Sequence, residues 1–97
     1  MYARVVTNQL QAGKTDGWLA VIRDSVMPSL RKQDGFVGFV GLVDRQHDKS
    51  IGYSVWADEN GLAASETSGN YQQQIANLGA VLAGPPAREV YELTVVA

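Results

Sequence analysis

The stretch that decides the fold is Phe36-Val37-Gly38-Phe39-Val40-Gly41-Leu42-Val43-Asp44, followed by Arg45-Gln46-His47-Asp48-Lys49 and Ser50-Ile51-Gly52-Tyr53-Ser54-Val55-Trp56-Ala57. Two β-branched and aromatic runs flank a polar turn of hairpin length, so Phe36 to Asp44 and Ser50 to Ala57 read as antiparallel strands. Counting by twos puts Phe36, Val40 and Leu42 on one side of the first run and Val37, Phe39 and Val43 on the other. In the second run Ile51, Tyr53 and Val55 oppose Gly52, Ser54 and Trp56. An antiparallel sheet with one wet face alternates apolar and polar residues. Here both faces are apolar, so both need a cover.

N-terminal to the hairpin, Tyr2 to Leu10 reads as a strand, with β-branched Val5, Val6 and Thr7. Gly13 breaks it, and Thr15 or Asp16 can cap the helix that follows. Trp18, Val21, Ile22, Ser25, Val26, Ser29 and Leu30 recur at helical intervals, opposite Arg23, Asp24, Arg31 and Lys32. Pro28 lies inside that stripe and is expected to bend the helix or end it a turn early. On the C-terminal side Asp58-Glu59-Asn60 caps a short helix through Ala63-Ala64-Ser65, and Gly69-Asn70 interrupts it. Tyr71, Ile75, Leu78 and Leu82 form the apolar edge of a second run, which Gly84-Pro85-Pro86 stops. Arg88 to Val96 reads as the last strand. The order βαββαβ defines an α+β, ferredoxin-like domain over residues 1–97: a four-stranded antiparallel sheet with helices on one face. A second copy is the simplest cover for the other face, giving a homodimer through the sheet face with an expected interface above roughly 1,200 Å².

Composition narrows the function classes. The 97 residues are 45% hydrophobic and 19% charged with a formal net charge of −2, which fits neither a disordered nor a membrane-embedded chain. Eight scattered Lys and Arg residues make no phosphate-binding patch, so no nucleic-acid partner is expected. No cysteine is present, which removes disulfides, thiolate catalysis and Cys-based zinc sites. His47 is the single histidine, too few for a multi-histidine metal site in one chain. Met1-Tyr2-Ala3-Arg4 leads straight into an apolar alternation. No leader is read there, no membrane partner is expected, and the expected location is cytoplasmic.

Several stretches in this order resemble the antibiotic biosynthesis monooxygenase family. They are the first strand ending Asn8-Gln9-Leu10, the Asp34-Gly35-Phe36 helix exit, Val55-Trp56-Ala57-Asp58-Glu59, and Arg88-Glu89-Val90-Tyr91-Glu92 after the Gly-Pro-Pro stop. The similarity spans nearly the whole chain, and the ordered set carries it rather than one motif. The resemblance implies a dimeric α+β barrel with a pocket between helices and sheet in each subunit. It also implies oxidation of an aromatic or quinol-type molecule by dioxygen, often with no flavin or metal. Haem-degrading relatives carry an iron-ligating histidine on the helix after the third strand; Leu62 to Leu82 contains none, so no cofactor is expected.

The residues offer three candidates for catalysis. Asn8 matches a family carboxamide that points into the pocket, and a neutral amide can donate to a developing oxyanion; its competing role is to end a strand at a turn. Trp56 matches the family's pocket tryptophan and could stack on a flat ligand and donate its indole N–H; the alternative is core packing. Tyr71 could donate a proton or hold a quinol oxygen, or simply pack its ring inward. Trp18 and Ser54 are candidate pocket walls for substrate, and Arg4 and Tyr91 candidate rim residues by strand parity. His47, in a charged hairpin, reads as a solvated loop residue. Gly35, Gly38, Gly41 and Gly52 lie within or beside strands and serve close packing, not a phosphate loop. The expected function is a cofactor-independent monooxygenase or oxidase acting on a small flat aromatic. The alternatives are a non-catalytic small-molecule binder, or an isomerase or cyclase on the same scaffold.

Overall fold

The computed structural model describes all residues from Met1 to Ala97. Four strands, β1 (Tyr2–Gln9), β2 (Phe36–Asp44), β3 (Lys49–Trp56) and β4 (Ala87–Glu92), form one antiparallel sheet in the order β2-β3-β1-β4. Four helices, α1 (Thr15–Val21), α2 (Met27–Leu30), α3 (Glu59–Thr67) and α4 (Asn70–Asn77), lie on one face. This is the ferredoxin-like arrangement that the order of elements implies.

Register decides which side chains meet the helices. Arg4 pairs with Ser54, Val6 with Gly52 and Asn8 with Ser50, so these three pairs share the helix-covered face. Residues one step away, including Ala3, Val5, Ile51, Tyr53 and Val55, lie on the other. Strand β2 departs from simple parity. A bulge between Phe36 and Gly38 shifts the register, so Phe36 (opposite Trp56) and Phe39 (opposite Ser54) both face the helices. Phe36 therefore does not share a face with Val40 and Leu42, and its ring meets Trp56 edge-on at 5.7 Å.

Pro28 is absorbed rather than obeyed. It has no N–H, and its ring would strike the carbonyl four residues back in a regular helix. Ile22–Val26 widens into a π-turn, with Met27 N–H bonding the Ile22 carbonyl, and the helix continues through Leu30. The widened turn still drops Val26 and Leu30 onto Trp56 and Leu62, one of two apolar clusters; the other joins Leu10, Trp18, Leu78 and Val81. Neither Thr15 nor Asp16 caps α1: Lys14 holds the N-cap position without a side-chain bond. Asp58 does cap α3, accepting from Gly61 N–H at 2.8 Å.

The last two elements are shorter than their apolar patterns. Helix α4 ends at Asn77, where Gly79 follows within two residues, and Leu82 instead bridges to Leu10. Strand β4 ends at Glu92, which pairs with Tyr2, and Leu93 N–H reaches the Met1 carbonyl.

Candidate functional site

Between the sheet and the helices lies a cavity of about 40 Å³, walled by β1, β3, the α1–π–α2 segment and α4. Its lining is mainly apolar, with polar groups at two places along β1. Asn8 lies four residue steps beyond Arg4, roughly 13 Å at a rise of about 3.3 Å per residue. Val6 and Gly52 lie between them.

At the Asn8 end two buried polar atoms lack a partner. Asn8 is 2% exposed; its Nδ2 donates to Ser50 Oγ at 3.1 Å while Oδ1 accepts nothing. Trp18, 1% exposed, leaves its indole Nε1–H unpaired. Each such group costs about 1–3 kcal/mol when buried without a hydrogen bond. Both residues line the cavity. The unpaired acceptor and the unpaired donor belong to two residues of one lining, and a hydroxyl-type group that reaches both can satisfy them together. Because the Ser50 hydroxyl can donate or accept, the Asn8 amide can also turn over and present its NH₂ instead.

Glycine shapes this end. A Cβ at Gly52 would stand 2.8 Å from Phe39 Cζ and 3.6 Å from Trp18 Cζ2, and one at Gly41 3.4 Å from Trp18 Cη2. The strand glycines thus let two rings lie flat against the sheet, a close approach a side chain would block. Phe39 and Trp18 separate the cavity from an open cleft of about 480 Å³ flanked by Arg23 and Arg31.

The other end is built around Arg4. Strand β1 points it under α3 and α4, where it is 2% exposed. Its Nη1 donates to Ser65 Oγ at 2.7 Å and lies 3.4 Å from Glu66 Oε2. Its guanidinium stands 4.4 Å from the Tyr71 ring centre and 5.6 Å from that of Trp56. Burial pulls the Arg4 pKa down and Glu66 opposes it; a guanidinium stays protonated throughout. Burial raises the Tyr71 pKa, against the pull of Arg4 and Arg88, so its phenol is neutral near pH 7.

The structure brings Arg4, Asn8, Trp18, Ser54 and Tyr71 to one cavity. It does not bring Trp56 or Tyr91 there. Trp56 is fully buried in the core between α2, α3 and β3, and its Nε1–H is taken by Ser54 Oγ at 2.8 Å. That bond leaves the Ser54 proton free to point elsewhere, so Trp56 acts on the cavity only through Ser54. Tyr91 pairs with Ala3 on the opposite face, is 51% exposed, and donates to Glu89 at 2.5 Å. Arg4 is no rim residue either, being among the most buried side chains. His47 sits in the β2–β3 turn, exposed and bonded to Asp44 at 2.7 Å. No three His, Asp or Glu side chains gather as metal ligands.

Besides these five, the lining includes residues that the sequence does not mark as site residues, Phe39 and Gln74 among them. Strand parity places Phe39 on a face but gives it no role. Gln74 is 6% exposed and bonded to Asn70 at 2.5 Å; its signal was the spacing Tyr71, Gln74, Leu78, which shares the inward edge of α4.

The fold and the cavity define a ferredoxin-like α+β protein with a pocket between sheet and helices. Residues 1–77 match the antibiotic biosynthesis monooxygenase family, and the chain belongs to it. The chain is 34% identical over 97 residues to the uncharacterized protein Rv2557 of Mycobacterium tuberculosis, covering 96% of this chain and 41% of that one. It is 42% identical over 65 residues to the uncharacterized protein Rv2558, covering 67% and 28%. The chain thus spans less than half the length of these relatives. Among solved structures it is similar to SnoaB, a cofactor-independent oxygenase from Streptomyces nogalater (TM-score 0.79, 14% identity, 98% of this chain and 94% of that one). It is also similar to NE2512, a protein of unknown function from Nitrosomonas europaea (TM-score 0.79, 21% identity, 99% and 91%). At these identities the likeness is one of fold.

Proposed function

We propose that this protein is a monooxygenase that oxidises a small, flat, electron-rich aromatic or quinol with dioxygen and without a bound cofactor. Family membership and the fold shared with a cofactor-independent oxygenase support the reaction class. The observation that carries the reading is the pair of unpartnered atoms, Asn8 Oδ1 and Trp18 Nε1, on an apolar cavity. A hydroxyl or carbonyl of the substrate completes them, and apolar walls exclude water from the ionised ring. The substrate supplies the electrons that reduce dioxygen. Ligand pockets for such molecules are typically about 300–1,000 Å³, so entry requires the Phe39 ring to turn outward and join the cavity to the adjacent cleft.

A homodimer through the open sheet face belongs to the same proposal. Val40, Leu42 and Tyr91 are 38%, 50% and 51% exposed there, beside the half-buried Ile51, Tyr53 and Val55. A second copy of the same face covers this surface symmetrically. No helix is long and apolar enough to cross a membrane.

One observation favours a second reading, a binding protein without turnover: no Asp, Glu, His or Lys lines the cavity to act as a base. Oxygen uptake with anthrone and a naphthoquinol decides between them. Saturable uptake, with one dioxygen consumed per ketone or quinone-type product carrying a dioxygen-derived atom, supports the monooxygenase. Binding without uptake leaves a carrier or sensor, and product without uptake an isomerase or cyclase.

A further inference from the structure

A buried cation without a full counter-charge needs an explanation. The guanidinium of Arg4 has five N–H donors; only Nη1 finds protein acceptors. The nearer of these, Ser65 Oγ, is a neutral hydroxyl whose own proton goes to the Leu62 carbonyl at 2.7 Å. The farther, Glu66 Oε2, stands at 3.4 Å because Arg88 holds both oxygens of that carboxylate, at 2.6 and 2.5 Å. Two cations thus share one carboxylate, and Arg4, which lines the cavity, is left with surplus positive charge. The groups acting on Arg4 are Glu66, Arg88 and the neutral Tyr71. A buried charge persists only when paired, and no second carboxylate supplies the pair.

We propose that Arg4 forms an anion subsite for a flat aromatic ligand carrying an ionised oxygen (a phenolate, enolate or carboxylate), with Arg88 as a positioning residue that draws Glu66 away from it. This rests on the reading that the cavity binds an aromatic molecule. It also supplies what the cavity lacks. With no base in the lining, the substrate enters ionised or is made more acidic by Arg4, because a nearby positive charge favours the deprotonated form. The ring then spans the Val6–Gly52 midsection, and a second oxygen meets Asn8 and Trp18.

The two neighbours of Arg4 give opposite forecasts. Arg88→Met frees Glu66 to turn onto Arg4 and cancels the surplus charge. Glu66→Gln removes the only carboxylate and leaves both cations unpaired. The test measures binding of 2-naphthoate and its neutral counterpart 2-naphthamide by calorimetry at low salt. The wild type is expected to prefer the anion by about tenfold or more, as a charge a few ångströms away in a partly dry site implies. Arg4→Met abolishes that preference, Arg88→Met lowers it several-fold, and Glu66→Gln raises it. A merely structural ion pair would weaken both ligands together in both variants. Equal wild-type affinity for the two probes, or Arg88→Met and Glu66→Gln moving the preference the same way, overturns the anion subsite while leaving the aromatic cavity intact. Binding of neither probe overturns both. Should Arg4→Met not fold, the opposed pair decides alone, because Arg88 and Glu66 are partly exposed.

Discussion

The unpartnered atoms at Asn8 make a prediction about stability as well as binding. Replacing Asn8 and Ser50 together, as Asn8→Leu with Ser50→Ala, removes the orphaned Oδ1 and both partners of the 3.1 Å bond in one step. Loss of the orphan returns about 1–3 kcal/mol, and loss of the neutral hydrogen bond costs about 0.5–1.5 kcal/mol. Leucine has as many side-chain heavy atoms as asparagine, and its bulkier methyl groups extend into the cavity and add apolar contact with its wall. The net expectation is a gain of about 1 kcal/mol, or roughly 4–8 °C in Tm for a domain of this size. Urea melts at fixed protomer concentration check it, since association would otherwise shift the midpoint. The same variant is expected to lose oxygen uptake and aromatic binding, a trade of function for stability. A double variant less stable than wild type by 1 kcal/mol or more, with function retained, would sink the idea that this amide is held unpaired for a ligand. Asn8 would then be structural, bonded to a trapped water.

Three further outcomes follow from other parts of the structure. Gly52→Ala puts a methyl against the Phe39 ring tip and is expected to cost about 1–3 kcal/mol as overpacking; in a Phe39→Ala background the same change is expected to cost less, a coupling that a double-mutant cycle reads, and ligand entry is expected to be faster in stopped-flow tryptophan fluorescence. Tyr71 has its pKa raised chiefly by burial, so the unfolded chain ionises first as pH rises. Its contribution is complete below about pH 10 and is lost as pH climbs through the higher folded value, and Tyr71→Phe should flatten that alkaline decline in chemical melts. Leu42→Lys puts a charge on the open sheet face and is expected to give folded monomers by analytical ultracentrifugation with an unchanged far-UV spectrum; an unaltered assembly would refute pairing through that face.

How much of this was legible in the sequence depends on whether a signal is periodic or relational. The strand–helix order was readable because alternation in β1 and β3, and three- and four-residue spacing in the helices, are properties of one segment at a time. The misreadings lie where two segments negotiate. Phe36 changed face because a bulge inserts one residue into β2, and a bulge leaves no mark on parity until the partner strand is known. Pro28 predicts a bend or an early end because a proline disrupts a regular helix, whereas a π-turn lets the helix continue and Val26 and Leu30 keep their contact with Trp56. Strand β4 stops where β1 begins, a limit its own apolar tail Thr94-Val95-Val96 does not contain.

The candidate site repeats that lesson with charge. Strand parity alone puts Arg4 at a rim, and a charged residue on a strand is ordinarily solvated. Its burial follows from features far along the chain: Ser65 and Glu66 on α3 receive it, and the α4 residue Tyr71 lies under it. The resemblance pointed to Trp56 as a ligand contact. The structure gives its indole N–H to Ser54, and Trp18 takes the place beside the cavity with its own N–H unpaired. A tryptophan whose N–H is satisfied has little to offer a substrate beyond shape, whereas one whose N–H is orphaned loses stability for as long as the cavity is empty. The same asymmetry separates Arg88, whose charge is matched, from Arg4, whose charge is not. Sorted by what remains unsatisfied, the buried polar groups lie toward both ends of one cavity, and the proposed ligand, apolar in the middle and oxygenated at each end, is the kind of molecule that completes them.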